Sequence, residues 1–155
     1  MTALVDRALT LNPNYARGWG ISALLRLWAD QPDPAVQHVN TALRLSPLAK
    51  VSPAFLILGA AHFFSRRFDA ALPELLRAIQ DDPGFPIPYR LLASCYAHLG
   101  RLDDAREIVR RLRAITAVVI SDGGMPRNPE HRELALSGLR LAAAEPPSCS
   151  AVCWQ

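Results

Sequence analysis

The sequence predicts an all-α protein built from repeated antiparallel helix hairpins, and an internal repeat is the main observation behind this prediction. Residues 8–13, 42–47 and 78–83 resemble one another, because each is an apolar helix end that is closed by a proline. The closing prolines lie 34 and 36 residues apart. A period of about 34 residues is the length of one helix-turn-helix unit. A chain of 155 residues, half of them hydrophobic, is long enough for one domain with one core.

Helix breaks occur at the spacing that the repeat requires. Turns are predicted at residues 30–34, 65–69 and 100–104, where aspartates cap the following helix or occupy its first turn. The helices delimited by these breaks are 1–11, 15–29, 34–45, 53–64, 69–80, 87–99 and 103–117. The first helix has no preceding helix to pair with. We therefore expect an array that is incomplete at its N-terminus and leaves an apolar face bare.

Large and small residues recur at matching positions of the three units. They are Trp19, Ala23, Ala35 and Ala42 in the first unit, Phe55, Leu58, Gly59, His62, Ala71, Leu75 and Ala78 in the second, and Tyr89, Leu92, Ala93, Tyr96, Ala105 and Val109 in the third. This pattern resembles that of the tetratricopeptide repeat over roughly residues 1–115, although Ser22, Arg26 and His62 depart from it and two extra residues enter near Lys50. The resemblance implies a right-handed α-solenoid that binds other proteins.

The domain organisation follows from the repeat register. We expect one array over residues 1–120, with a partial first unit at 1–14 and further units at about 16–49, 52–85 and 86–118. We expect a linker at 121–128, a capping helix at 129–144 and a disordered tail at 145–155. The incomplete N-terminal unit also offers a surface for self-association.

The last helix has a well-marked start. Asn128 suits the N-cap position and Pro129 suits the first helical position. Further along, Leu136, Leu139 and Ala143 form one apolar stripe. We expect this stripe to cover the open end of the array.

Residues 127–140 carry a second resemblance. Their sequence, RNPEHRELALSGLR, is similar to the C-terminal end of bacterial class III adenylate cyclase proteins that carry a tetratricopeptide domain behind their catalytic domain. Such proteins make cyclic AMP from ATP with two metal-binding aspartates in a separate α/β domain. No part of this chain matches that domain, so none of its catalytic residues is carried over. The resemblance implies a regulatory or partner-binding region of a signalling protein.

Composition and charge exclude several classes of partner. The net charge is only +3, and sixteen arginines and one lysine are scattered along helix faces, so no basic stripe for nucleic acid emerges. The longest apolar stretch, residues 52–64, is shorter than the about 20 residues of a membrane span, and the N-terminus has no signal-like segment. Three cysteines at irregular positions favour a reducing compartment. Together with the Ala- and Arg-rich bias of a GC-rich genome, this predicts a protein of the bacterial cytoplasm.

Motifs for catalysis are missing from the sequence. It contains no phosphate-binding glycine loop, no HExxH, no GxSxG and no CxxC. His62 and Cys95 are expected to pack as core residues, and Cys149 and Cys153 to be inert in the tail. We therefore expect a chain that is not an enzyme and that uses no cofactor and no metal.

Repeat stacking places selected positions of each unit's first helix on one surface, where a partner would bind. The expected peptide-binding groove comprises Leu24, Leu27, Trp28, Leu56, Ala60, Phe63, Phe64, Arg90, Ser94 and His98. Because apolar residues dominate and Arg17 and Arg90 form a basic rim, the predicted partner is an amphipathic helix or extended peptide with hydrophobic anchors and an acidic group. An equally open alternative is that Leu27, Trp28 and Phe63 pack into neighbouring units or against the last helix.

Three functional hypotheses follow. The first is the regulatory C-terminal part of an adenylate cyclase-like protein. The second is a free-standing adaptor or assembly factor, and the third is an oligomerisation module in which the exposed first helix pairs with another copy. The fold alone does not choose among them, because partner choice depends on surface residues.

Overall fold

The computed structural model describes residues 2–47, 53–121 and 128–144, and within these ranges it contains helices and no strand. The eight helices of this part of the chain are α1 (Thr2–Leu11), α2 (Ala16–Trp28), α3 (Pro32–Leu45), α4 (Ala54–Phe64), α5 (Phe68–Asp81), α6 (Pro86–His98), α7 (Leu102–Arg113) and α8 (Pro129–Ala143). The predicted fold class, an all-α helical-repeat solenoid, is confirmed. None of these helices is long and apolar enough to cross a bilayer.

The helix bounds agree with the predicted ones to within two residues, except at the end of α7. That helix ends at Arg113, four residues before the predicted limit. The amides of Ile115 and Thr116 both bond back to the carbonyl of Leu112, which closes the helix. β-Branched residues dominate the sequence that follows and favour this early end. Most of the predicted linker and the tail, residues 122–127 and 145–155, lie outside the described residues.

The aspartates predicted to cap the second helix of each hairpin do not do so. The N-cap positions are Gln31, Arg67 and Arg101, and none of them makes a side-chain cap hydrogen bond. The aspartates lie two or three positions later, in the first turn. Their charge there still interacts favourably with the helix dipole.

The hairpins α2–α3, α4–α5 and α6–α7 stack in two layers. The first helices α2, α4 and α6 contact one another in succession, whereas no comparable contact joins successive second helices. The array therefore curves toward the first helices. We call their outward surface the inner face.

Small residues allow the two helices of each hairpin to approach closely. In the first hairpin Ala23 and Ala35 are fully buried, and in the third hairpin Ala93 is. In the second hairpin the same role falls to Gly59, where an added Cβ would lie 2.7 Å from Cγ of Leu75. A side chain at this position would push the two helices apart.

The turns inside the three hairpins share one backbone geometry. The turn residue has a positive φ in each case, 62° at Asp30, 58° at Arg66 and 76° at Gly100. Its amide bonds to the carbonyl three residues back, and the next amide bonds five residues back, as Gln31 does to Arg26. This is the Schellman arrangement, which satisfies carbonyls at a helix end. Only the third turn uses glycine, the residue that adopts this conformation without strain.

Aromatic side chains with a donor secure the turns between units. Trp19 Nε1 donates to the carbonyl of Pro13 at 2.8 Å, and the Tyr89 hydroxyl donates to the carbonyl of Pro83 at 3.0 Å. Both bonds span six residues, which explains the large aromatic residue after the first and third closing prolines. Phe55 holds the same position in the second unit and has no donor to make this bond.

The last helix, α8, does not continue the stack of hairpins. It packs mainly against α6 and less against α7. The Leu134 carbonyl lies at His98, and Gly138 lies at Ser94, one turn earlier in α6. This pairing means that α8 runs antiparallel to α6, whereas successive first helices of a repeat array run in the same direction.

The start of α8 is as predicted, but its buried stripe differs. Oδ1 of Asn128 accepts a hydrogen bond from the Glu130 amide at 2.8 Å, which is the N-cap bond. Of the predicted stripe only Leu139 is buried, whereas Leu136 and Ala143 are half-buried. The residues that face the array are Leu134, Ala135, Gly138, Leu139 and Ala142. The stripe was misplaced because the sequence did not reveal which way α8 crosses α6.

Candidate functional site

Equivalent positions of the three first helices place candidate residues along the inner face. These positions are held by Gly20, Leu56 and Arg90, by Leu24, Ala60 and Ser94, and, at the helix ends, by Trp28, Phe64 and His98. In the first two units most of these residues are apolar. In the third unit all three are polar.

The first two units border an open cavity of about 210 Å³ between α2, α4 and α6. It is lined by Leu24, Leu27, Trp28, Pro53, Leu56, Ile57, Ala60, Phe64, Phe85, Ile87 and Leu91. The structure thus brings together Leu24, Leu27, Trp28, Leu56 and Phe64 of the predicted groove. The indole of Trp28 is 53% exposed, an unusual position for so large an apolar group.

A second cavity, of about 290 Å³, adjoins the first. The two cavities share Pro53, Leu56 and Phe85 in their walls, and the second is also lined by Asp81 and Asp82. Acids therefore line the second cavity, whereas the sequence predicted a basic rim. The guanidinium of Arg77 lies over the ring of Phe55 in the same wall, 5.5 Å from the ring centroid. The sequence missed these acids because they belong to the end of α5, a helix of the outer layer.

Arg17 and Arg90 do not form the predicted rim. Arg17 is exposed and lines neither cavity. Arg90 is buried, and its guanidinium donates to the carbonyls of Val118 and Val119 at 2.7 and 3.1 Å. Burial lowers the pKa of Arg90 from its usual value, but the group is still a cation. It is used to fix the segment after α7 and is closed to a partner.

Ser94 and His98 are also covered, and the covering element is α8. Ser94 is fully buried and its Oγ donates to the Ala135 carbonyl at 2.7 Å. Nε2 of His98 lies 2.8 Å from the Leu134 carbonyl, where it acts as the donor. The prediction that these side chains line an open groove is therefore wrong for this conformation, because α8 occupies the space in front of them.

Phe63 belongs to the core and not to the groove. Its side chain is 0% exposed and its ring packs against the rings of Phe64, Phe68 and His98. The alternative that some groove positions pack inward is correct for Phe63 and for Leu27, which is buried although it also borders the cavity. Trp28 instead stays exposed.

The N-terminal end of α8 reaches across the inner face to the first hairpin. Nδ2 of Asn128 donates to Oδ2 of Asp30 at 2.6 Å, and the His131 ring stacks on Phe64 with centroids 4.7 Å apart. Nδ1 of His131 lies 3.0 Å from Oδ1 of Asp30, although without the alignment of a hydrogen bond. Sequence analysis missed these contacts because they join residues that are 67 to 101 positions apart in the chain.

Two further reactive side chains lie within the helical layers, where His62 is half-buried and Cys95 is buried. Burial lowers the pKa of His62, and the nearby Arg67 charge lowers it further. Nδ1 of His62 has no hydrogen-bond partner among the described residues. Burial raises the pKa of the Cys95 thiol to about 12, which makes it a poor nucleophile.

Within residues 2–47, 53–121 and 128–144, no group of three or more His, Cys, Asp or Glu side chains is arranged to hold a metal ion. Cys149 and Cys153 lie outside these ranges.

Comparison with known proteins identifies the fold. Residues 65–118 match the family model for the tetratricopeptide repeat, and no curated protein matches the sequence. The chain is similar in structure to MamA, with a TM-score of 0.69 and 21% identity over 91% of this chain and 84% of that one. It is also similar to YrrB, a TPR protein with an unusual peptide-binding site (TM-score 0.64, 22% identity, 91% and 74% covered). A third similar structure is a thermophilic TPR protein in Thermus thermophilus (TM-score 0.60, 22% identity, 91% and 72% covered).

Proposed function

We propose that this chain, a helical solenoid of the tetratricopeptide-repeat fold, is a protein-interaction module that holds the hydrophobic anchors of a peptide or helix in the cavity between α2, α4 and α6. The observation behind the proposal is the exposed indole of Trp28 beside an apolar cavity of about 210 Å³. Exposed apolar surface of this kind in a globular protein marks interaction sites. Large aromatic residues at such sites often contribute most of the binding energy.

The charge beside the cavity favours a basic residue in the partner. Asp81 and Asp82 line the adjoining cavity, which shares three residues with the apolar one. A lysine or arginine next to the apolar anchors of a bound peptide would lie near these carboxylates. Charge complementarity of this type adds specificity and speeds association more than it adds affinity. We expect neither nucleic acid nor a membrane as partner, because the net charge of +3 is small and spread along the chain.

Selection from a displayed library of random peptides against the full chain tests the proposal. Affinities of the selected peptides are then measured by fluorescence anisotropy for the wild-type chain and two variants. Trp28→Ala should weaken binding by about tenfold or more, as expected for a central aromatic contact. Leu141→Ala is the matched control, since Leu141 is 50% exposed on the far side of α8 and should leave the affinities unchanged.

Three results of this selection would contradict the proposal or part of it. Peptides that bind the Trp28→Ala chain as tightly as the wild type would place the binding site elsewhere. A failure to select any peptide would remove the groove proposal. Enrichment of Lys or Arg next to apolar residues in the selected sequences would support the role of the acidic pair, and enrichment of Asp or Glu would contradict it.

The larger context of the module remains a hypothesis with three forms. The similarity of residues 127–140 to the end of adenylate cyclase-like proteins favours the regulatory part of a bacterial cytoplasmic signalling protein. A free-standing adaptor accounts for the same groove equally well. The reading frame upstream of the Met1 codon distinguishes these two, because only the first form requires a cyclase catalytic domain there. We expect no conversion of ATP by the chain alone.

Self-association is the third form. Leu4 and Leu11 on α1 are 76% and 81% exposed, so two copies could cover them by pairing. Light scattering would then give the mass of a dimer or larger assembly, and Leu11→Glu should return it to a monomer. A monomer at high concentration would remove this form.

A further inference from the structure

The third unit of the inner face is a helix-binding surface that is already occupied. Ser94 and His98 on α6 contact the carbonyls of Ala135 and Leu134 on α8 at 2.7 and 2.8 Å. The same surface is apolar in the first two units, where α8 reaches the helix ends at Asp30 and Phe64 and leaves the cavity between α2, α4 and α6 open. The polar side chains of the inner face, Ser94 and His98, therefore lie where α8 is bound.

These polar contacts recognise backbone atoms of the bound helix. Both acceptors on α8 are main-chain carbonyls, which every helix presents regardless of its side chains. A buried hydroxyl or imidazole is costly unless it is hydrogen-bonded, so the surface requires an occupant that brings such carbonyls close. Small side chains on the occupant are the condition for that approach.

The packing at Gly138 shows how strict this condition is. A Cβ added at this position would lie 2.7 Å from Cβ and 2.8 Å from Cα of Ser94. The second contact is with backbone, which cannot swing aside. Ala135, three residues earlier, is fully buried on the same face. The surface therefore requires glycine at the position of Gly138 and accepts alanine three residues earlier, with a leucine such as Leu139 beside them.

Few large apolar side chains attach α8 to the array. Three of its five buried residues are alanine or glycine, so only Leu134 and Leu139 bury large apolar side chains. The end of the helix is fixed by Asn128 and His131 against Asp30, in contacts that are partly exposed to water. Elements with few buried apolar contacts open at a lower free energy than the core.

We propose that α8 can dissociate from this surface, and that a partner helix takes its place. The partner helix has small residues at the positions equivalent to Ala135 and Gly138. The inference rests on the proposed function and assigns a partner class to the third unit of the same face. Binding there would compete with α8, so the connection of α8 to the chain lowers the apparent affinity of any partner.

A synthetic peptide of residues 128–144, labelled with a fluorophore, is the probe. Its affinity is measured for the full-length wild-type chain and for full-length Gly138→Leu, whose own α8 can no longer approach Ser94. We expect the peptide to bind the variant at least about tenfold more tightly than the wild type, because the resident helix acts at a high effective concentration. The matched control peptide carries Gly138→Leu itself and should bind the variant at least about tenfold more weakly than the wild-type peptide.

A second variant designed to detach α8, Leu139→Asp, is measured in case Gly138→Leu misfolds. We call these two the release variants. It places a charge on the buried face of α8 and leaves every residue of the array unchanged. Circular dichroism should show a folded array in at least one of the two variants. A folded release variant that binds the peptide no better than the wild type overturns the inference, as does equal binding of the two peptides. Peptides selected at the Trp28 cavity would still bind in that case, so the proposed function would stand.

Discussion

The two halves of the inner face invert the usual relation between polarity and exposure. In the first unit, Leu24 and Trp28 border open space, and the cavity beside them is also lined by Ala60 and Phe64 of the second unit. In the third unit, Ser94 and His98 occupy the equivalent positions and are covered by α8. The apolar half is open and the polar half is closed. A sequence that keeps apolar side chains in water and polar ones under a helix is organised for partners and not only for stability.

The difference also separates two ways of recognising a helix or peptide. The covered half contacts main-chain carbonyls and requires small residues on its occupant. The open half offers an apolar cavity with acids at one end, and therefore selects side chains. The halves meet at Phe64, which lines the cavity and stacks on His131 of α8. An occupant of one half would thus touch the boundary of the other.

The largest effect is expected in the core below the two halves. Phe63→Ala should lower the free energy of unfolding by about 3–5 kcal/mol, because it leaves a cavity in place of a fully buried ring. Trp28→Ala should lower it by no more than about 1–2 kcal/mol, since half of the indole is already in water. Urea denaturation followed by circular dichroism measures both. An equal decrease in the free energy of unfolding would mean that Trp28 is a core residue, and the open half would then lack its main candidate contact for a partner.

Two glycines sharpen the comparison between the array and α8. Gly59→Ala crowds Leu75 inside a hairpin, and Gly138→Ala crowds Ser94 below α8. Each should cost about 1–3 kcal/mol through overpacking. Hydrogen exchange should be faster in α4 and α5 for the first variant, and only in α8 and α6 for the second. Faster exchange throughout α2–α5 in Gly138→Ala would show that α8 is an integral part of the array.

A smaller and more local effect is expected from Ser94→Ala. The substitution removes the hydrogen bond to the Ala135 carbonyl, which is buried between α6 and α8. It should reduce the free energy of opening of α8 by about 1 kcal/mol, as for the loss of one buried neutral hydrogen bond. Thr10→Ala is the control, because it removes an exposed hydroxyl contact to the Arg7 carbonyl and should change nothing measurable. Unchanged exchange of α8 amides in Ser94→Ala would contradict its role in holding the helix.

The sequence was sufficient for the array and insufficient for α8. The repeat of prolines and of small residues such as Ala23 and Gly59 is local information, and hairpin packing follows from it. The direction of α8 depends instead on its packing against α6, where Ser94 and His98 bond to main-chain carbonyls that any helix presents. The structure brings most of the predicted groove residues of the first two units around one open cavity, whereas Phe63 lies in the core and Ser94 and His98 lie under α8.

Two signals in the sequence could have revealed the covered half. The inner positions become polar only in the third unit, which indicates a different environment there. Gly138 lies in the middle of a helix, where glycine costs about 1 kcal/mol relative to alanine and usually reports a close contact. Neither signal identifies the contacted helix. Only the packing at Ser94 does so.

The smallest effect concerns pH and the hairpins beside the open half. Burial lowers the pKa of His38, helped by the Arg26 charge and opposed by Asp6. Burial likewise lowers the pKa of His62, helped by Arg67 and opposed by Glu74 and Asp33. Below about pH 6.5 the unfolded chain therefore binds more protons at these residues than the folded chain, so stability falls as the pH falls through this range.

Urea denaturation at pH 7.5 and at pH 5.5 measures this loss, in a range that leaves most carboxylates ionised. Both histidines belong to the first two hairpins, so acidification should speed hydrogen exchange in α3 and α4 before it does so in α7. The double variant His38→Gln, His62→Gln should show a weaker dependence of stability on pH than the wild type. If the stability of the double variant depends on pH as strongly as that of the wild type, the pH dependence arises from other residues. Protonation of His38 and His62 would then not destabilise the first two hairpins separately from α6 and α8.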